Sequence, residues 1–324
     1  MKRVTLIVIL LITGIALTGC NSRYEKVEKE EFSPSPDGKK TIKIENTNGE
    51  IKVVKNDEEK IRIIATKKAN VRKRDLDKPI EDIRINIIEN GSEILVQTEL
   101  SDSRNGFSLS FKENNKVDYL IFVPARFDVN IDNVSGDIEV TEMEGELNVY
   151  LVNGDITLIN PAGVVNAELI NGNITSEISS TKGIKMNSVN GKIKMRLSEE
   201  LNAKIIANIT NGKVVTDNIS FINSHEVDDS FTGKLGTGEY DIRLESINGR
   251  ITLENLNDGS PTVSGSGTKE DEYLRMKKEY EEAQEELKQA EENLKKAEEE
   301  YLQEKSGTKN TPVDTLKSDS IKIL

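Results

Sequence analysis

A chain of 324 residues with a formal net charge of −13 is long enough for a sizeable core and two or three structural units. It holds one His, His225, one Cys, Cys20, and no Trp. It therefore forms no internal disulfide and no Cys/His zinc cluster, and its acidity argues against nucleic-acid binding, which depends on neutralising phosphates.

Met1-Lys2-Arg3 is a short basic segment, and the apolar run Val4–Ala16 after it is interrupted only by Thr5, Thr13 and Gly14. The run is short for a membrane span. It ends in Leu17-Thr18-Gly19-Cys20, which resembles a bacterial lipoprotein signal. The resemblance implies a signal peptide over residues 1–19, cleavage before Cys20, and lipid on the Cys20 sulfur, with the new N-terminus often acylated too. Two or more acyl chains hold a protein stably where one does not. Residues 20–40 read as a tether, charged at first and then turn-forming at Ser33-Pro34-Ser35-Pro36-Asp37-Gly38.

Residues 41–128 turn to period-two alternation, the strand signal. Ile42/Ile44 and Ile51/Val53 flank Thr47-Asn48-Gly49. Further strands are expected at Ile61/Ile63, Ile83/Ile85/Ile87, Ile94–Val96, Phe107/Leu109/Phe111 and Val117–Val123. The loop after the second strand carries Lys67, Lys68, Arg72, Lys73, Arg74 and Lys78. In an acidic protein this is a solvated loop or a contact for an anionic surface such as lipid headgroups.

From residue 129 to 260 one phrase recurs: apolar, Asn or Ser, Gly, any residue, apolar. Its corners are Ser135-Gly136, Asn153-Gly154, Asn171-Gly172, Asn190-Gly191, Asn211-Gly212 and Asn248-Gly249, with Asn48-Gly49 as an early copy. Asn-Gly between alternating apolar residues is a hairpin signal, so an antiparallel meander or sandwich is one architecture that fits. A β-solenoid is the other. In it Ile138 stacks on Ile156 and Ile174, Leu147 stacks on Val165, and the corner asparagines stack amide on amide. The solenoid is preferred because the full Asn/Ser-Gly corner recurs at about 18 residues, not nine. Residues 217–235 lose the beat and read as an insertion or long loop, with Phe231–Leu235 a degenerate copy of the phrase.

The run Val117–Pro124 leading to Val134-Ser135-Gly136-Asp137-Ile138-Glu139-Val140 resembles the bacterial putative-adhesin family of unknown function, and so does Gly236–Gly249. The likeness covers about residues 40–256. It implies an all-β, right-handed β-solenoid-like domain displayed at a bacterial envelope, and it transfers no catalytic residues. A search of the residues themselves finds no catalytic set. His225 beside Ser224, Asp228 and Asp229 does not make a triad, and the residue after each corner Gly drifts from Asp137 and Asp155 to Asn173, Lys192, Lys213 and Arg250. That drift describes a solvated edge; the Asp137/Asp155 pair is at most a weak Ca²⁺ site. No cofactor is expected.

Ser264-Gly265-Ser266-Gly267 marks a linker over 261–267. Residues 268–305 are predicted to form one long coiled-coil-like helix with the seam Tyr273, Met276, Tyr280, Ala283, Leu287, Ala290, Leu294, Ala297 and Tyr301, followed by a tail over 306–324. The seam suits self-association or a partner helix. The whole reads as a lipid-anchored, non-enzymatic envelope module that binds an envelope protein or a cell-wall polymer. The alternatives are a glycan-cleaving solenoid enzyme and an accessory of a membrane signalling or envelope-stress system that docks through the helix.

Overall fold

Alternating aliphatic side chains and glycine corners build nineteen strands and no helix among the described residues, which in this computed structural model are 7–11, 23–72, 80–100 and 115–257. In chain order the strands are β1 (Ile7–Leu11), β2 (Arg23–Phe32), β3 (Thr41–Asn48), β4 (Ile51–Lys55), β5 (Arg62–Arg72), β6 (Ile83–Asn90), β7 (Glu93–Leu100), β8 (Lys116–Val123), β9 (Asp128–Ser135) and β10 (Ile138–Thr141). They continue as β11 (Leu147–Asn153), β12 (Ile156–Ile159), β13 (Val165–Asn171), β14 (Ile174–Ile178), β15 (Ile184–Leu197), β16 (Ala203–Asp217), β17 (Ile222–Val227), β18 (Ser230–Leu235) and β19 (Tyr240–Asn255). All lie in one unit, Met1–Val263; the other unit, Ser264–Leu324, falls outside the described residues. So do Cys20, Phe107/Leu109/Phe111, the linker and the predicted helix with its seam.

The corners divide the chain into rungs, and equivalent rungs pair in parallel. Ile138 lies over Ile156 and Ile156 over Ile174, while Leu147 lies over Val165. A meander would instead place Ile138 opposite Leu151. The domain is a β-solenoid, with one stack of strands before the corners and a second after them. Inward positions of successive rungs fall in columns. One runs Ile51, Ile138, Ile156, Ile174, Ile193, Ile251 and Val214, all buried. Such columns make a largely aliphatic core, with Phe32, Tyr119, Phe127 and Phe231 among its few aromatics, worth roughly 1.5–3 kcal/mol for each fully buried branched side chain.

At each corner the backbone is left-handed, and neighbouring rungs approach closely. Gly191 has φ of 148°, and a Cβ there would sit 1.6 Å from the Gly172 carbonyl oxygen. Only glycine satisfies both conditions.

Three boundaries differ from the sequence reading. The break at residue 128 does not exist: β3 pairs in parallel with β9 and β4 with β10, because Asn48-Gly49 makes a corner in register with Ser135-Gly136. The expected tether is partly folded. β2 pairs antiparallel with β5 over its whole length, and β1 pairs antiparallel with β2. Charged residues inside β2 are buried because their partners are too: Lys26 Nζ lies 3.0 Å from Glu28 Oε1, and the Glu28 carboxylate accepts the Ile80 amide at 3.0 and 3.1 Å. Finally, residues 217–235 are not an open loop. Ile222–Val227 and Ser230–Leu235 form an antiparallel hairpin, and β18 runs antiparallel to β16, so Phe231–Leu235 is no parallel copy of the phrase.

The two ends of the solenoid share one departure from chain order. The rung β3–β4 lies between β7 and β9 in the first stack and between β8 and β10 in the second. At the other end β19 lies between β15 and β16 along its length. The first and last rungs in the chain are therefore interior, each one step in from the end. Antiparallel strands close the outside: β6 on β7, and β17 with β18 on β16.

A candidate ligand groove on the first stack

On the first stack, outward side chains also fall in columns. One reads Glu45, Asp132, Tyr150, Glu168, Asn187, Glu245 and Asn208. The position just before the corner carries Val134, Val152, Ile170, Val189 and Ile247 on five rungs and Thr47 and Thr210 on the other two; Val134 and Ile247 are each 46% exposed. Between these two rows lies a groove of about 560 Å³, lined by Tyr150, Glu168, Ile170, Asn187, Val189, Glu245 and Ile247, with Ser188 and Ser246 in its floor and Asn208–Thr210 at one end.

The inward column beneath the groove runs Leu151, Leu169, Ser188, Ser246 and Ile209. As inward residues, Ser188 and Ser246 point to the core where neighbouring rungs have leucine or isoleucine, so the groove floor is the backbone of these strands and its walls are the outward rows on either side. Ser188 and Ser246 are more than nine-tenths buried, and neither hydroxyl has a hydrogen-bond partner; Asn187 Oδ1 is likewise buried without one. Buried polar atoms normally find partners; of these three, only Asn187 Oδ1 belongs to an outward residue beside the groove. The ionisable lining residues are Tyr150, Glu168 and Glu245. Arg243, two residues before Glu245, is turned to Asp241 at 2.8 Å.

The corner residues are structural. The asparagines stack as a ladder: Asn171 Nδ2 donates to Asn153 Oδ1 (3.1 Å), Asn190 to Asn171 (2.9 Å), Asn248 to Asn190 (2.8 Å) and Asn211 to Asn248 (2.9 Å). The residues after the glycines are engaged as well. Asp137 Oδ1 accepts the Asp155 amide at 2.9 Å, and Asp155 Oδ1 accepts the Asn173 amide at 2.7 Å. Their carboxylates cap the next rung, a role the sequence reading took for a solvated edge. No group of metal-ligating side chains large enough to hold an ion occurs among the described residues. His225 sits on the exposed strand β17 opposite Thr232.

The basic loop is corrected in part. Lys67, Lys68 and Arg72 belong to β5, and Lys73, Arg74 and Lys78 lie outside the described residues. Lys67 is buried against the Glu30 carboxylate, and Lys68 Nζ meets Asp118 Oδ2 at 2.7 Å. Both are neutralised because β5 is flanked by β2 and β8, which carry those acids. Elsewhere, four titratable groups are shifted: Lys43 and Lys55 upward through their carboxylate partners Glu45 and Asp57, and Glu45 and Tyr119. Burial drives the Tyr119 phenol well above its ordinary value, partly offset by its 2.6 Å hydrogen bond to Thr98. The hydrogen bond from Lys43 holds Glu45 below the usual carboxylate range.

A family model described as Toastrack DUF4097 matches residues 34–254. No curated protein matches the sequence. Among solved structures, one described as a putative cell adhesion protein from Clostridium sporogenes is 14% identical, with a TM-score of 0.42, covering 71% of this chain and 100% of its own. Another, described as a putative adhesin from Bacteroides fragilis, is 11% identical, with a TM-score of 0.37, covering 71% of this chain and 97% of its own.

Proposed function

The chain belongs to the Toastrack DUF4097 family, and from that premise we propose that it is a non-enzymatic, adhesin-like binding module of the bacterial envelope, held to the membrane by lipid on Cys20. The solenoid presents its groove to an envelope protein or a cell-wall polymer. The observation that carries this reading is the groove itself. It is open, floored by the backbone of adjacent rungs and walled by Tyr150, Glu168, Asn187, Glu245 and a row of aliphatic side chains. A few convergent polar groups in an apolar concavity are the features of a binding site. Residues 268–305 supply a second contact, through self-association or a partner helix.

Two measurements test the reading. Cys20→Ser should move the protein from the membrane fraction to the soluble extracytoplasmic fraction and abolish incorporation of an alkyne-tagged fatty acid; unchanged labelling removes the lipid anchor. A photo-crosslinking residue at Ile247 in intact cells should capture an envelope component, whereas one at the exposed Ile222 on β17 should not. Equal capture at both positions argues against the groove as the binding surface.

A further inference from the structure

We infer that the edge just after the corners, at Lys192, Arg250 and Lys213, is a binding site for a short run of phosphate groups on a linear polymer; it is a second surface and does not depend on the groove. The position after the corner glycine has a fixed task in the earlier rungs. Its backbone amide points at the preceding rung and donates to a side-chain oxygen there: Asp155 to Asp137 Oδ1 (2.9 Å), Asn173 to Asp155 Oδ1 (2.7 Å) and Lys192 to Asn173 Oδ1 (3.2 Å). The series then stops. Lys192 lies beside Arg250, and Arg250 beside Lys213, in the register of β15, β19 and β16. Neither Lys nor Arg has an acceptor to offer. The Arg250 and Lys213 amides therefore go without the side-chain cap that earlier rungs supply.

The charge changes sign at the same step. Lys192, Arg250 and Lys213 are exposed, and none forms an ion pair among the described residues, whereas Lys194, two residues on from Lys192, is turned to Glu254 at 2.9 Å. Like charges on facing strand positions are destabilising. Three in register weaken the fold unless a counter-charge sits on them. Together they offer three cations and two amide donors within two strand spacings, about 10 Å. An anion rich in acceptor oxygens answers both, since a phosphate takes an amide N–H on one oxygen and a guanidinium or ammonium on another. Acids bound the run. Asp155 stands two rungs before Lys192 in the same column, and the turn Asp228-Asp229 lies outside β16, where the Asp228 carbonyl accepts the Val214 amide at 3.0 Å. These acids, in a chain of net charge −13, disfavour a flat anionic membrane, which would meet them along with the cations. A polymer segment touches the basic rungs alone.

The test titrates the full chain with inorganic tripolyphosphate, with polygalacturonate as a carboxylate polymer, and with phosphatidylglycerol vesicles. Tripolyphosphate should bind saturably, raise Tm and lose affinity as salt rises. Lys192→Gln/Arg250→Gln/Lys213→Gln should weaken that binding at least about tenfold, since each charge-assisted contact is worth roughly that factor, while leaving the Tm of the unliganded protein unchanged or higher. Lys192→Asp/Arg250→Asp puts carboxylates where Asp137 and Asp155 stand on earlier rungs; it should raise the unliganded Tm and abolish binding. Lys204→Gln/Lys234→Gln, on facing positions of β16 and β18 away from the corners, should leave binding unchanged. Tripolyphosphate that does not bind, binding untouched by the column variants, or an equal loss in the Lys204/Lys234 variant overturns the proposal. Tighter binding of polygalacturonate overturns it too. So does vesicle retention that depends on the column with no response to tripolyphosphate, which makes the anion a lipid headgroup. None of these outcomes touches the groove, which the Ile247 crosslink tests separately.

Discussion

Gly191 shows how much a single atom decides. Its φ of 148° is strained for any L side chain, and an added Cβ would meet a backbone oxygen that cannot move aside. Gly191→Ala should cost well over ~3 kcal/mol in urea unfolding or prevent folding, combining backbone strain with a clash. Gly91→Ala, at φ of 52° with open space around it, should cost only about 1 kcal/mol. The asparagine before the glycine matters less. Asn171 donates to Asn153 and accepts from Asn190, both at exposed sites, so Asn171→Ala should cost about 1 kcal/mol. This ordering was legible in sequence: glycine is present at every corner, whereas the position before it admits Ser135 in place of the usual asparagine. Tyr119 adds a pH signature. Burial raises its folded-state pKa above the ordinary 10.0, so its neutral form contributes stability that is fully present below pH 10 and lost as pH rises through the alkaline range. Tyr119→Phe should flatten the fall in Tm above about pH 10, at the cost of ~1 kcal/mol from the lost bond to Thr98; an unchanged alkaline slope would refute it.

At the scale of elements, the sequence states the register of β9 to β15 but not the partners of β2, β17 and β18. Register was readable because the corners repeat and inward positions alternate. β2 was not, since its ordering comes from ion pairs with β5 that a single strand does not announce: Arg62 Nε reaches Glu31 Oε1 at 2.6 Å, and Lys67 meets Glu30. The groove was unreadable for a related reason. Its lining depends on Asn187 and Glu245, distant in the chain, being brought side by side by the displaced strand β19. A comparable long-range tie fastens the second stack. Glu177 on β14 and Arg196 on β15 form a fully buried pair at 3.0 Å, and Arg196 Nη2 donates to the Leu256 carbonyl at 3.1 Å just beyond β19. Glu177→Ala removes the carboxylate facing a buried guanidinium and should cost about 3–5 kcal/mol; Glu177→Leu with Arg196→Met should recover most of that loss. Urea unfolding of the single and double variants measures both.

For the molecule as a whole, the interior position of the first and last rungs has a consequence in time. A coil built in chain order can consolidate each turn as it emerges. Here β16 pairs with β18 and β19, and its place above β15 is set by β19, which comes later in the chain. Until residue 255 is available, β15 and β16 face an open slot with unpaired edges, the kind of surface that invites wrong pairing. A chain ending at residue 236 should therefore aggregate or bind chaperone rather than form a shortened solenoid, and a peptide spanning 240–257 added during refolding should rescue it. A soluble, cooperatively melting truncation would show that β19 is ornamental. The solenoid is thus finished by insertion instead of by addition. Its maturation has a single late checkpoint, and the domain must be made whole before it can be used.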